Sequence, residues 1–295
     1  MTIRPDPGVI TFPYYVGMFI LPLESEVANY GLGAFIYDLL DNPDWILRRS
    51  ETIEFPHLAT VRRRISLDLD AVSVFRRDTY ESCPLLDETS RPVPVALIRK
   101  ALLVNFDFRH SDGQRIAVPT RDEDSHVAMS VLAYRAREVL QQQDLPKPIL
   151  RKLLSIAMLF CPADDDTQRA WGEDDTWDRQ TRDAWRALQR DESFAGLLTS
   201  LTRNFLLLAP LRDKPGRAQV EFAYETVPER RGSLGIWERL GWRSIPYAVE
   251  VPAASQPRSF HLRFEAPDGL FPTDADLVQI SSESTTGHHK NGPGS

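Results

Sequence analysis

Along this chain the period of the hydrophobic residues changes twice. In "VRRRISLDLDAV" Ile65, Leu67 and Leu69 alternate with Ser66, Asp68 and Asp70, the two-residue repeat of a strand with one buried and one wet face. From about 122 to 211 the apolar positions recur at three and four, the repeat of helices. After Pro215 the two-residue repeat returns in "AQVEFAYETV" and "SFHLRFEAP", where Phe260, Leu262 and Phe264 oppose His261, Arg263 and Glu265. This order predicts an α+β protein, with a mostly antiparallel, sandwich-like β unit built from 55–120 and 212–281 around a helical insert at 121–211. Residues 1–54 read as a helix-containing N-terminal segment, and 282–295 as a disordered polar tail.

Local signals refine this outline. Val27, Leu32, Phe35, Ile36, Leu39 and Leu40 suit a helix over 26–40 that stops at Asn42-Pro43. The glycines of "NYGLGAF" lie inside it, and a lone G-x-G is a weak nucleotide signal. "ALLVNFDF" and "QRIAVPT" read as two strands of a hairpin, with Gly113 supplying the positive φ of the turn. Thr120 and Glu123 have capping-box spacing, and Asp122 and Asp124 place further negative charge in the first helical turn. Pro146 and Pro148 open another helix toward residue 160, and "FAGLLTSLTRNFLLLAPL" reads as a last apolar helix.

Composition narrows the function classes. An apolar fraction of 42% supports a real core, and a formal charge of −7 argues against a polyanion-binding chain, so no specific nucleic-acid binding is expected. Cys83 and Cys161 have no CxxC or Cys/His spacing near them, which predicts neither a zinc site nor a disulfide framework. They read as a loop thiol and a buried thiol. The apolar stretch "YYVGMFILPL" is interrupted by Pro22 and followed by Glu24 and Glu26, unlike a signal peptide. No run reaches the roughly 18–20 apolar residues of a membrane span. A cytoplasmic protein is expected, at the inner face of a membrane if the native chain continues past Ser295.

"LLVNFDFRHSDGQRIAVPTRDEDSH" gathers two histidines and five acids, yet the turn and cap readings account for His110, Asp112 and the acids without a metal. No metal site and no cofactor are expected. The run 164–166 and Glu173, Asp174, Asp175 and Asp178 lack the spacing of a calcium loop and read as solvated helix starts. Arg179, Arg182, Arg186 and Arg190 recur along one helix face and can pair with Asp175, Asp178 and Asp183. Trp171, Trp177 and Trp185 read as core residues. Seven arginines fall between positions 48 and 77, and Arg62, Arg64, Arg76 and Arg77 are the candidate anion- or partner-binding group; the plainer reading pairs them with nearby acids. His126 and His261 are the candidate general bases of an alternative hydrolase or nuclease assembled from distant residues.

"RRRISLDL", "PVALIRKALLVNFDFRHSDGQRIAVPTRDE", "LLTSLTRNFLLLAP" and "SFHLRFEAPDGL" together resemble a pattern in uncharacterised proteins of high-GC bacteria, over roughly residues 55–275. The resemblance implies a soluble region that precedes membrane-embedded C-terminal segments, and it assigns no catalytic residues. Combined with the absence of a nucleophile motif, it leads to the expectation of a non-enzymatic binding or sensory module. Its partner would be a protein, an anionic membrane surface or a further copy of the chain.

Overall fold

The computed structural model describes residues 29–57, 60–77, 90–100, 104–142, 144–159, 172, 176–212, 216–226, 229–230, 247–248 and 257–265. The readings of "YYVGMFILPL", Cys83, Cys161, the run 164–166, Trp171, Glu173, Asp174, Asp175 and the C-terminal tail lie outside them. The described elements run α1 (Tyr30–Asp41), a 3₁₀ turn (Pro43–Trp45), β1 (Ile46–His57), β2 (Thr60–Asp70), α2 (Ala71–Phe75), β3 (Ser90–Arg99) and β4 (Val104–His110). They continue with α3 (Arg121–Leu140), α4 (Lys147–Ala157), α5 (Arg179–Arg190), α6 (Glu192–Arg203), β5 (Asn204–Arg212), β6 (Arg217–Thr226), β7 (Glu229–Arg230), β8 (Tyr247–Ala248) and β9 (Phe260–Glu265).

The α+β class and the mostly antiparallel sheet are as the sequence predicts. Five strands pair in the order β4-β6-β2-β1-β9, antiparallel except where β9 runs parallel to β1. In β2 the odd positions Val61, Ile65, Leu67 and Leu69 are buried while the even ones face outward, as expected of a sheet with one solvated side. The sandwich-like form expected of the β unit is not confirmed among the described residues. Besides the five-stranded sheet, the described residues contain only two two-stranded sheets, β3-β5 and β7-β8, and the neighbours of β3 and β5 are helices α1, α3 and α6.

Two boundaries move. The helical unit expected to reach 211 ends at Arg203, and "NFLLLAPLR" is strand β5, antiparallel to β3. Its residues from Leu206 to Leu211 are buried without alternation, so both faces of the strand are covered and the period of two is invisible. The expected division at 54/55 falls inside β1, which begins at Ile46. The hairpin after β4 is also shorter than predicted. Gly113 does turn the chain at φ +83° and the N–H of His110 donates to Gln114 O, but "QRIAVPT" contributes only the bridge Arg109↔Arg115 before leaving the sheet. The ladder partner of β4 is β6.

α3 is the central helix. It is capped by the predicted box: Thr120 Oγ1 accepts from Glu123 N–H, and Glu123 Oε2 accepts from Thr120 N–H. Every residue from Asp124 to Ala133 is buried, so no single apolar stripe marks this helix. α1 crosses it closely, with Gly33 against the Ser130 backbone. α4, α5 and α6 add Ile149, Leu153, Trp185, Leu188, Phe194 and Leu198 to the same core. Trp177 and Trp185 meet edge to face at 5.8 Å between centroids, consistent with the core reading of these two tryptophans. Among the described residues no helix is long and apolar enough to cross a membrane.

Candidate functional site

The four arginines singled out by sequence do not form one group. Arg62 and Arg64 extend from the outer face of β2, where Arg62 meets Glu225 at 3.4 Å and Arg64 meets Glu54 at 2.8 Å. Arg76 and Arg77 follow α2 at the opposite end of that strand, and the six residue steps from Arg64 to Asp70 alone span about 20 Å. Arg76 is exposed. Arg77 is an internal clamp: it donates to Asp38 Oδ2 at 2.6 Å, Asp38 O at 3.0 Å, Asn42 O at 2.8 Å and Asp44 Oδ1 at 3.0 Å. Two of these acceptors are carbonyls at the end of α1, where a cation complements the helix dipole. The pairing with nearby acids therefore describes Arg62, Arg64 and Arg77 better than an anion-binding cluster does. Arg77→Ala is expected to lower stability by about 2 kcal/mol and Arg76→Ala to change it by less than about 0.5 kcal/mol, both readable in urea titrations.

The outer sheet face as a whole is balanced. Arg109 pairs with Asp107 at 2.8 Å, Arg263 with Glu265 at 3.1 Å, and Gln219 donates to Ser66 Oγ at 2.8 Å. Such exposed pairs each contribute about 0–1 kcal/mol, and none leaves a basic concentration on this face.

The two histidines lie apart. His126 is in the buried run of α3, where its ring Nδ1 donates to the carbonyl of Asp122 at 2.7 Å; its partner is a backbone oxygen of its own helix, not a carboxylate. His261 is exposed on the edge strand β9, and its Nε2 lies 3.0 Å from Ser259 Oγ. Serine beside histidine is half of a nucleophile and base arrangement. No described carboxylate hydrogen-bonds either ring. Among the described residues no three His, Cys, Asp or Glu side chains come together as a metal-ligand group.

What sequence reasoning missed are the buried charges. Asp124, 4% exposed, accepts from the N–H of Leu206 at the start of β5 at 2.8 Å. Burial pushes its carboxyl up to about 6, against the opposing effects of the Leu206 hydrogen bond and the Lys100 ammonium. Lys100, 3% exposed, donates from Nζ to Ala157 O at 2.7 Å, and burial lowers its pKa while Asp124 raises it. Arg121 donates to Met158 O and Ser125 Oγ lies 3.4 Å from Ala157 O. These groups satisfy free carbonyls at the C-terminus of α4, so the cluster ties α3, α4, β3 and β5 together.

A second buried network sits on the inner face of the sheet. Glu51, 1% exposed, is held by Arg49 at 2.9 Å and by Arg63 at 3.3 Å. Burial raises the pKa of the neighbouring Tyr224, and the adjacent Arg63 works against that shift. The legible signal was the position of Arg63: it occupies an odd site of β2, between Val61 and Ile65, where the pattern calls for an apolar side chain. The described surface also carries a groove of about 290 Å³ lined by Met129, Leu150, Arg151, Leu154, Ser155 and Met158.

Comparison with protein-family models gives no match, and neither curated proteins nor solved structures match the chain.

Proposed function

We propose that this chain is a non-enzymatic interaction module, carried beside a membrane as in the proteins its sequence resembles. The observation that supports the reading is how its buried ionisable groups are used. Asp124, Lys100 and His126 each hydrogen-bond backbone that holds helices and strands in place, and Glu51 is enclosed by two arginines. Groups used in this way orient a scaffold, and a scaffold with broad polar faces acts through its surface. Partner identity is a separate question, because fold class alone does not carry function.

A hydrolase is the second reading, favoured by the 3.0 Å approach of Ser259 Oγ to His261 Nε2. Treatment of the full chain with a fluorophosphonate probe separates the two. The module reading expects Ser259 to stay unlabelled, with Ser259→Ala and His261→Ala indistinguishable from the parent. Stoichiometric labelling of Ser259 that disappears in both variants would replace the module with a serine hydrolase.

A further inference from the structure

We infer that the free edge of β9 is a dimerisation strand, which pairs antiparallel with β9 of a second copy of this chain and joins two five-stranded sheets into one. The inference goes beyond the interaction-module reading and stands apart from it, since such an edge pairs whether or not the chain catalyses a reaction.

Strand β9 borders β1 on one side and is the last strand of its sheet. The N–H of Arg49 donates to Ser259 O at 2.8 Å, and Arg49 is in register with Phe260. That phase turns the backbone groups of residues 259, 261, 263 and 265 toward β1 and leaves the N–H and C=O of Phe260, Leu262 and Phe264 on the free edge. Among the described residues nothing pairs with them. Their side chains lie on the inner face of the sheet beside their register partners Arg49, Glu51 and Ile53. Ile53 is fully buried, whereas Phe264 beside it is 46% exposed, so the apolar row ends open at this edge. The other outer strand, β4, is blunted. Its ladder with β6 shifts register between Val104 and Asp107, Asn105 there has φ +52°, and the chain folds back to make the bridge Arg109↔Arg115. Bulges and covering segments are how sheets avoid edge pairing. β9 keeps one unbroken register with β1 and has no proline, no lysine and no charge on its inner face.

What fits this edge is a strand with the same alternation, and β9 itself supplies it. A two-fold axis through Leu262 sets Leu262 against Leu262 of the second copy and Phe260 against its Phe264. Each of these pairs exchanges two hydrogen bonds, because the groups involved are those the fold leaves outward. The exposed Phe264 is then covered by a phenylalanine, an aromatic cross-strand pair. On the outer face His261 meets Arg263 of the second copy and Ser259 meets its Glu265, while each Arg263 stays neutralised by Glu265 of its own strand at 3.1 Å. Other registers fit less well. An axis through Arg263 would oppose two arginines, and one through Phe264 runs the pairing past Glu265, where the strand ends. With β4 blunted, β9 is the open edge of this sheet among the described residues, so the pairing closes as a dimer and does not extend into a fibre.

Sedimentation equilibrium of the full chain over about 5–500 μM tests the pairing, with an expected Kd on the order of 10–100 μM for so short an edge. Leu262→Pro removes the N–H at the axis, a change that edge strands tolerate when this group faces solvent. Phe264→Lys places a cation opposite Phe260 of the second copy. Each is expected to weaken dimerisation about tenfold or more, with circular dichroism showing an unchanged fold. The register is read separately in a background carrying Cys83→Ser and Cys161→Ser. There Leu262→Cys should cross-link on mild oxidation, and Phe260→Cys, whose two copies lie about 14 Å apart along the strands, should not. A parent that stays monomeric at the highest concentration overturns the inference. So does a dimer that both folded variants leave intact, or equal cross-linking at the two positions. A monomeric parent that instead binds an extended peptide of alternating leucine and threonine gives the edge to a foreign strand and overturns the second copy as its occupant. Labelling of Ser259 by the fluorophosphonate probe decides the module reading and leaves dimerisation untouched, so the two fail independently.

Discussion

Lys100→Met is expected to destabilise the protein by about 3 kcal/mol at pH 8 and by about 1 kcal/mol or less at pH 5. The asymmetry comes from Asp124. Its carboxyl titrates at about 6 in the fold, above its ordinary 3.8, so the native state holds that proton more tightly than the unfolded chain. The stability this provides is complete below about pH 3.8 and is lost as the pH rises through about 6; the separation corresponds to about 3 kcal/mol. At pH 8 the carboxylate is ionised in a buried site, and the Lys100 ammonium is the cation acting on it. Removing that cation strands a buried anion. At pH 5 Asp124 is protonated, and methionine forfeits mainly the hydrogen bond to Ala157 O. Asp124→Asn in the Lys100→Met background should recover most of the loss at pH 8, since the amide oxygen can still accept from Leu206 N–H. Urea titrations at the two pH values decide the matter. An equal loss at both would mean that the two groups are energetically independent.

The same residues show where sequence reasoning reaches and where it stops. Features set by neighbours in the chain were legible: the Thr120–Glu123 box, the Gly113 turn, the stop at Asn42 and the alternation in β2. Each depends on residues within a few positions of one another. β5 was misread because it is buried on both faces, and an unbroken apolar run fits a core helix as well as a strand. Lys100 and Asp124 lie twenty-four positions apart and act on each other only in the fold, where Asp124 holds the N–H of Leu206 in β5, the strand paired with β3, so no spacing rule reveals them. The arginines failed in the opposite direction. Proximity in sequence suggested convergence, but the length of β2 separates Arg62 and Arg64 from Arg77, and acids supplied by β1, β6 and the α1 region engage them.

Gly33→Ala is expected to cost about 2–3 kcal/mol, although alanine is the better helix former by about 1 kcal/mol. A Cβ at this position would sit 2.6 Å from the Ser130 carbonyl carbon, closer still to its oxygen, and 3.1 Å from Tyr134 Cβ. The obstruction is helix backbone, which cannot swing aside as a side chain does. Relief requires α1 to move away from α3, loosening Leu32, Phe35 and Ile36 from the core and lengthening the hydrogen bond from Asn29 N–H to Ser130 Oγ, now 3.1 Å. Gly196 is the internal control. It lies within α6, exposed, with nothing within 4 Å of an added Cβ. Gly196→Ala should therefore stabilise the protein by about 0.5–1 kcal/mol. Opposite signs for one chemical change would assign the loss at Gly33 to the helix crossing, whereas stabilisation at both positions would refute the close approach of α1 to α3. The glycine pair of "NYGLGAF" would then have no role in this packing, and the reading of Gly33 as a contact residue would fall with it.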